Sequence, residues 1–282
     1  MKNMDRVIVG SLLVLGLGLS LGAHACTTDG WLGGTNGIPA NGDAGSPLTV
    51  SRYSELCALA ITDTSWVQSD LASDKQYIGR FYVYPDLTGS GLVDLLVAYS
   101  DEGGASPLFK ISYNGSQFVF DTDGAGGGTD NADADDGWNL IEFEYDADNG
   151  NFNYWVNETW GFASEAYVTG PTSNITFPTS TVKVESVRLG APNGMDSFAG
   201  TITYDAFEAH RTTAVGALRA GDANSDDVIN ILDLGKVRLE LLNPGIEASL
   251  AEGTPDCNND GSINILDVGC VRLILLNPEP DV

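Results

Sequence analysis

The chain has 282 residues, 43% of them hydrophobic, and sets 13 Lys and Arg against 39 Asp and Glu for a formal net charge of −26. A surface this acidic repels nucleic-acid phosphates and anionic lipid headgroups, which excludes both as partners, and it holds cations well. The apolar share is that of a folded protein, and the length suits one mid-sized domain followed by a small one.

The N-terminus places Lys2 and Arg6 before an apolar run over 7–21, and Ala23-His24-Ala25 follows. This is the layout of a secretory signal peptide at 1–25, cleaved after Ala25, so the mature protein is expected to be secreted. The run is shorter than the roughly 20 residues a spanning helix needs, and no second apolar segment follows it, so no membrane span is expected. Ala23 and His24 fit a lipid-modified Cys26 poorly. The four cysteines, Cys26, Cys57, Cys257 and Cys270, allow three pairings, and proximity in the chain favours Cys26 with Cys57 and Cys257 with Cys270. The mature chain has one histidine, His210, which excludes a two-histidine zinc site, and it has no Gly-rich nucleotide motif.

Residues 26–211 alternate short apolar–polar stretches with Gly, Asn, Asp and Pro turns and show almost no helical period. The pattern predicts an all-β sandwich with strands at 77–84, 92–99, 108–113, 117–120, 139–145, 152–157, 182–189 and 198–208. Asn114-Gly115 and Asp148-Asn149-Gly150 are expected as hairpin turns. Glu142, Glu144 and Asp146 alternate with apolar Ile141, Phe143 and Tyr145, which puts three carboxylates on one face of a strand, with Trp155 beside them and Trp160 near. A solvated outer face accounts for that pattern. A sugar-binding face, or a glycosidase pair of carboxylates, is the alternative. The stretch 121–137, with six aspartates among glycines, reads as a flexible acidic loop. Trp138 to Glu158, WNLIEFEYDADNGNFNYWVNE, together with FAGTITYDAFEAHR further on, resembles the laminin-G and concanavalin-like lectin superfamily. That resemblance implies a jelly-roll sandwich of a kind that hosts carbohydrate-binding modules, adhesion domains and some glycoside hydrolases, so fold leaves the activity open.

A linker at 212–219 leads to the last segment, 220–282, which repeats itself at an offset of 34: DANSDDVINILDLGKVRLELLNP matches DCNNDGSINILDVGCVRLILLNP. In each copy oxygen-bearing side chains fall at loop positions 1, 3, 5, 9 and 12, namely Asp222, Asn224, Asp226, Asn230 and Asp233, then Asp256, Asn258, Asp260, Asn264 and Asp267. Position 7 contributes its backbone carbonyl, from Val228 and Ser262. A hard cation taking six to eight oxygens at about 2.3–2.6 Å requires this EF-hand spacing, so two calcium ions are expected. Gly261 suits the sharp turn at position 6, whereas the first loop has Asp227 there. Leu234, Val237 and Leu241, and then Val268, Val271 and Leu275, recur at helical spacing, and Asn243-Pro244 and Asn277-Pro278 end the two helices.

No helix precedes either loop, since Gly221 and Pro255 stand directly before the first ligands. That duplicated half-motif resembles the dockerin family, which the resemblance implies is a two-calcium module docking onto cohesin domains through loop positions 10 and 11 and the following helix. Here those residues are Ile231, Leu232 and Arg238, and Ile265, Leu266 and Arg272. Cellulosomal dockerins often carry hydroxyl residues at the two loop positions. The aliphatic pairs therefore leave the partner open between a cohesin-like domain and the protein's own sandwich. The whole reads as a secreted calcium-binding attachment protein whose sandwich recognises a glycan or another surface, with no catalytic residue assigned. The alternatives are a polysaccharide-degrading glycoside hydrolase and a purely structural extracellular protein.

Overall fold

The computed structural model describes residues 33–36, 48–49, 58–157, 170–195, 197–212, 214–218, 221–224, 228–242, 255, 257–258 and 263–276. The expected signal peptide, Cys26, Cys57 and Trp160 lie outside them, as do the helix-ending Asn-Pro pairs.

Among the described residues fourteen strands run in chain order: β1 (Gly34–Asn36), β2 (Leu48–Thr49), β3 (Ala58–Ile61), β4 (Trp66–Asp74), β5 (Gln76–Gly89), β6 (Val93–Tyr99), β7 (Pro107–Tyr113), β8 (Gln117–Asp121), β9 (Thr129–Asp133), β10 (Asn139–Asp146), β11 (Asn151–Val156), β12 (Ser173–Thr176), β13 (Val184–Gly190) and β14 (Phe198–His210). Two helices follow, α1 (Ile231–Leu242) and α2 (Ile265–Leu276). The strands form two seven-stranded antiparallel sheets, in the orders β1-β4-β13-β6-β7-β8-β9 and β12-β11-β10-β5-β14-β3-β2. This is the expected all-β sandwich with a small helical module after it.

Alternation along the strands sends one set of side chains between the sheets. Phe109 of β7 meets Phe143, Tyr145 and Phe152 of the opposite sheet at ring-centroid distances of 5.5, 5.5 and 4.9 Å. Phe120 of β8 stacks on Tyr154 at 3.7 Å. Gly79 gives Phe143 its room, because a Cβ there would come within 2.6 Å of that ring. Both expected hairpin turns form, with Gly115 at φ 104° and Gly150 at φ 66° in the left-handed region that glycine tolerates.

The stretch 121–137 is not a loop. It contains a 3-10 turn at Asp123–Ala125 and the edge strand β9, which pairs with β8 from Gln117↔Asp133 to Asp121↔Thr129. Polar TDNAD suits an edge strand because one side of such a strand stays in water.

The helical module has its own core of Ala223, Leu234, Val237, Cys257, Val268 and Val271, with Leu241 and Leu275 packed partly against it. None of these residues belongs to the sandwich core. Among the described residues no helix is long and apolar enough to cross a membrane.

Candidate metal centre and docking face

Each helix begins where its loop ends, so the last ligand position falls in the first turn. Asp233 and Asp267, at loop position 12, are fully buried. Asp233 accepts one backbone N–H on each carboxylate oxygen, from Asn224 at 3.2 Å and from Asn230 at 2.7 Å. Asp267 does the same with Asn258 at 3.3 Å and Asn264 at 2.7 Å. The side-chain oxygens of Asn230 and Asn264 accept the N–H of Leu232 and Leu266 at 2.7 and 2.8 Å, tying position 9 to the helix start. The Val228 carbonyl accepts from the Asn230 amide at 3.0 Å. The two loops thus share the bonds to the position-12 aspartate and from the helix start to the position-9 asparagine, which follows from equal placement of the same ligand-type residues.

Of the expected ligands, Asp222 is 3% exposed and lies in the same module, whereas Asp226, Asp256, Asp260 and Ser262 fall outside the described residues. Among the described residues no three His, Cys, Asp or Glu side chains converge. The donor set nonetheless fits calcium. It is all oxygen, and Asp233 and Asp267 are buried carboxyl groups held by N–H groups and, among the described residues, by no ion pair, an arrangement that favours a cation beside them. Ile229 and Ile263, at position 8, pack partly on the module core.

Cys257 and Cys270 are joined, as proximity suggested, with Cα atoms 5.8 Å apart. The second loop is therefore stapled to its helix.

The aliphatic pairs after the loops face outward. Ile231, Leu232, Ile265 and Leu266 are 66, 61, 70 and 60% exposed, and Arg238 and Arg272 are exposed as well. Packing of these aliphatics inside the module is thereby ruled out. The face is longer than the sequence reading made it, because Leu239, Leu242, Leu273 and Leu276 are also exposed. They stand seven or more residues beyond Leu232 and Leu266, along the same side of each helix. Gly235 and Gly269, between them, look into open space.

The carboxylate face of the sandwich is different from what alternation suggests. Glu142 is fully buried and Glu144 is 6% exposed, so the solvated outer face does not exist there. The chain at 214–218 lies across it. Glu142 Oε1 accepts the N–H of Val215 at 3.0 Å and of Gly216 at 2.9 Å. Arg80 donates to the Gly216 carbonyl at 3.2 Å and pairs with Glu208 at 2.8 Å. The Tyr82 hydroxyl accepts the N–H of Leu218 at 2.9 Å. The His210 ring nitrogens lie 3.2 Å from the Ala214 carbonyl and 2.9 Å from Glu208. Val215 packs into an apolar patch with Ile78 and Trp155, which is 1% exposed. Glu144 is held by Gln76 and Asn153 at 2.8 and 2.9 Å. Neither a sugar-stacking role for Trp155 nor a glycosidase pair of Glu142 and Glu144 fits side chains so enclosed. The residues assigned to the linker, 212–219, include this docked strap.

A β-sandwich bearing a duplicated loop–helix module defines the class of the molecule. Residues 220–276 match the family model of the dockerin type I domain, and this C-terminal segment is such a domain. No curated protein matches the chain. Among solved structures, the chain is similar to a sialidase (TM-score 0.38, 13% identity, 55% of this chain and 15% of that one). It is also similar to the botulinum neurotoxin serotype D binding domain (TM-score 0.40, 9% identity, 64% of this chain and 43% of that one) and to cellulose induced protein Cip1 (TM-score 0.36, 13% identity, 52% and 73%). The chain thus spans less than half the length of each of the first two. Likeness at this level says nothing about ligand or activity.

Proposed function

We propose that this is a secreted attachment protein whose dockerin, loaded with two calcium ions, docks a cohesin-type domain through Ile231, Leu232 and Arg238 or through Ile265, Leu266 and Arg272. The supporting observation is the pair of matching aliphatic faces, each about two-thirds exposed on a module that buries only a small core. Exposed leucines and isoleucines at twin positions cost solubility unless a partner covers them. Calcium would be held by Asp222, Asn224, Asp226, Val228, Asn230 and Asp233, and by Asp256, Asn258, Asp260, Ser262, Asn264 and Asp267. It neutralises carboxylates that otherwise repel one another, so loading and folding of the module are one event.

The sandwich is the recognising part, for a glycan or another surface, and its site lies away from the strap. The half-exposed ring pair Tyr84 and Trp138, 5.9 Å apart, offers a sugar ring a stacking surface.

The test is retention of the mature protein on immobilised type I cohesin domains. Retention in calcium that is lost in chelator is expected. Ile231→Asp with Leu232→Asp should weaken it about twofold, because the second face remains, and adding Ile265→Asp with Leu266→Asp should abolish it. Full retention by the fourfold variant, or none by the unaltered protein on any such domain, would overturn the docking assignment.

A further inference from the structure

Among the positions at which the two repeats differ is one pair that is covalently joined in the second repeat alone. On the offset of 34, Cys257 and Cys270 stand where the first repeat has Ala223 and Lys236. The disulfide spans 13 residues of sequence, from loop position 2 to the second turn of α2. Cys257 thus sits between the ligand positions Asp256 and Asn258, and Cys270 follows the buried Asp267 by three residues. The staple brackets the second calcium loop. At the matching points of the first loop stand the buried Ala223 and the half-buried Lys236, which cannot form such a bond.

The sulfur of Cys257 also supports the other loop. Gly221, the residue before Asp222, lies over it with φ 93°, and a Cβ on Gly221 would stand 3.2 Å from that sulfur and 3.4 and 3.5 Å from Ile274 and Val271. The start of the first loop therefore rests on the staple of the second.

We propose that the Cys257–Cys270 disulfide positions the second loop for calcium and makes it the tighter of the two sites, so that calcium loading of the module depends on its redox state. The proposal rests on the reading that both loops hold calcium. A chain segment that wraps a metal ion loses conformational freedom on binding, and a covalent closure this short removes much of that freedom beforehand. The gain in affinity expected from such a closure is about 10- to 100-fold. Gly261, at the position where the first loop has Asp227, favours the same site, and moving the disulfide separates the two causes.

The experiment is calorimetric titration of calcium into three forms of the full mature protein: unaltered, Cys257→Ala with Cys270→Ala, and Ala223→Cys with Lys236→Cys, the new bond verified by mass. The unaltered protein should show two sites of unequal affinity. Removing the cysteines should weaken the tighter site about 10- to 100-fold and the other by less than about threefold. Adding the second disulfide should tighten the weaker site, a gain that a protein merely damaged by substitution would not show. Two sites of unchanged affinity in both variants would overturn the role given to the disulfide while leaving the calcium reading intact. No calcium bound by the unaltered protein would overturn the calcium reading, and the staple with it.

Discussion

The sandwich and the dockerin are held together by different means. Between the sheets, aromatic rings from both sides interlock around Phe109 and Phe143, and that core forms from side chains alone. Among its described residues the dockerin buries Ala223, Leu234, Val237, Cys257, Val268 and Val271, a small core for a segment of this size to stand on apolar packing. It adds a disulfide, and it buries the carboxyl groups of Asp233 and Asp267, beside which the proposed calcium ions would sit. On the proposed reading, the comparison separates one domain whose stability does not depend on calcium from one whose stability does.

Substitutions at three positions in the sandwich sharpen that contrast. The largest effect is expected from Phe143→Ala, which empties the centre of the aromatic cluster and should cost about 3–5 kcal/mol in the unfolding of the sandwich, read from its denaturant midpoint. Calcium affinity should stay unchanged, and a shared loss would break the separation of the two domains. Next comes Glu142→Ala, which leaves the N–H groups of Val215 and Gly216 without their acceptor under the strap. It should cost about 2–4 kcal/mol and expose the backbone at 214–218 to protease, while Glu142→Gln, which keeps an acceptor oxygen, should cost less than half as much.

The smallest effect is expected at Ser173, whose hydroxyl donates to Asp130 at 2.6 Å and links β12 to β9. That bond is the main cause holding the Asp130 carboxyl below its ordinary value, against the opposing effect of burial. A depressed folded-state value stabilises the protein above the ordinary carboxylate range, and the stabilisation is lost as pH falls through the folded value. Ser173→Ala should return the Asp130 titration, followed by carboxyl-carbon NMR, towards the ordinary value and cost about 0.5–1 kcal/mol at neutral pH and less in acid.

The sequence made the central strands legible through the nearly continuous apolar run of Val93–Tyr99 and the alternation of Ile141, Phe143 and Tyr145 with carboxylates in Asn139–Asp146. It did not reveal β4, where Gln68 sits in mid-strand at 4% exposure. That burial is tolerable only because its amide donates to Asp70 and to the Glu102 carbonyl and accepts from Arg188, partners that no local pattern discloses. Alternation placed Glu142 and Trp155 on the face away from the core. What covers that face is a segment 73 residues further along the chain, a contact that periodicity cannot show. In the dockerin the repeat itself carried the information, since ligand spacing, helix positions and the outward Ile-Leu pairs occur twice. The extension of that face to Leu242 and Leu276 was hidden among leucines that also serve as core, such as Leu234.

The most direct test of the account is differential scanning calorimetry of the mature protein in millimolar calcium and in chelator, under non-reducing conditions. The account predicts two transitions in calcium, of which the one belonging to the dockerin moves down or disappears in chelator while the sandwich transition stays in place. A thermogram that is the same in calcium and in chelator would contradict the assignment of the twin loops as the metal-dependent half of the molecule.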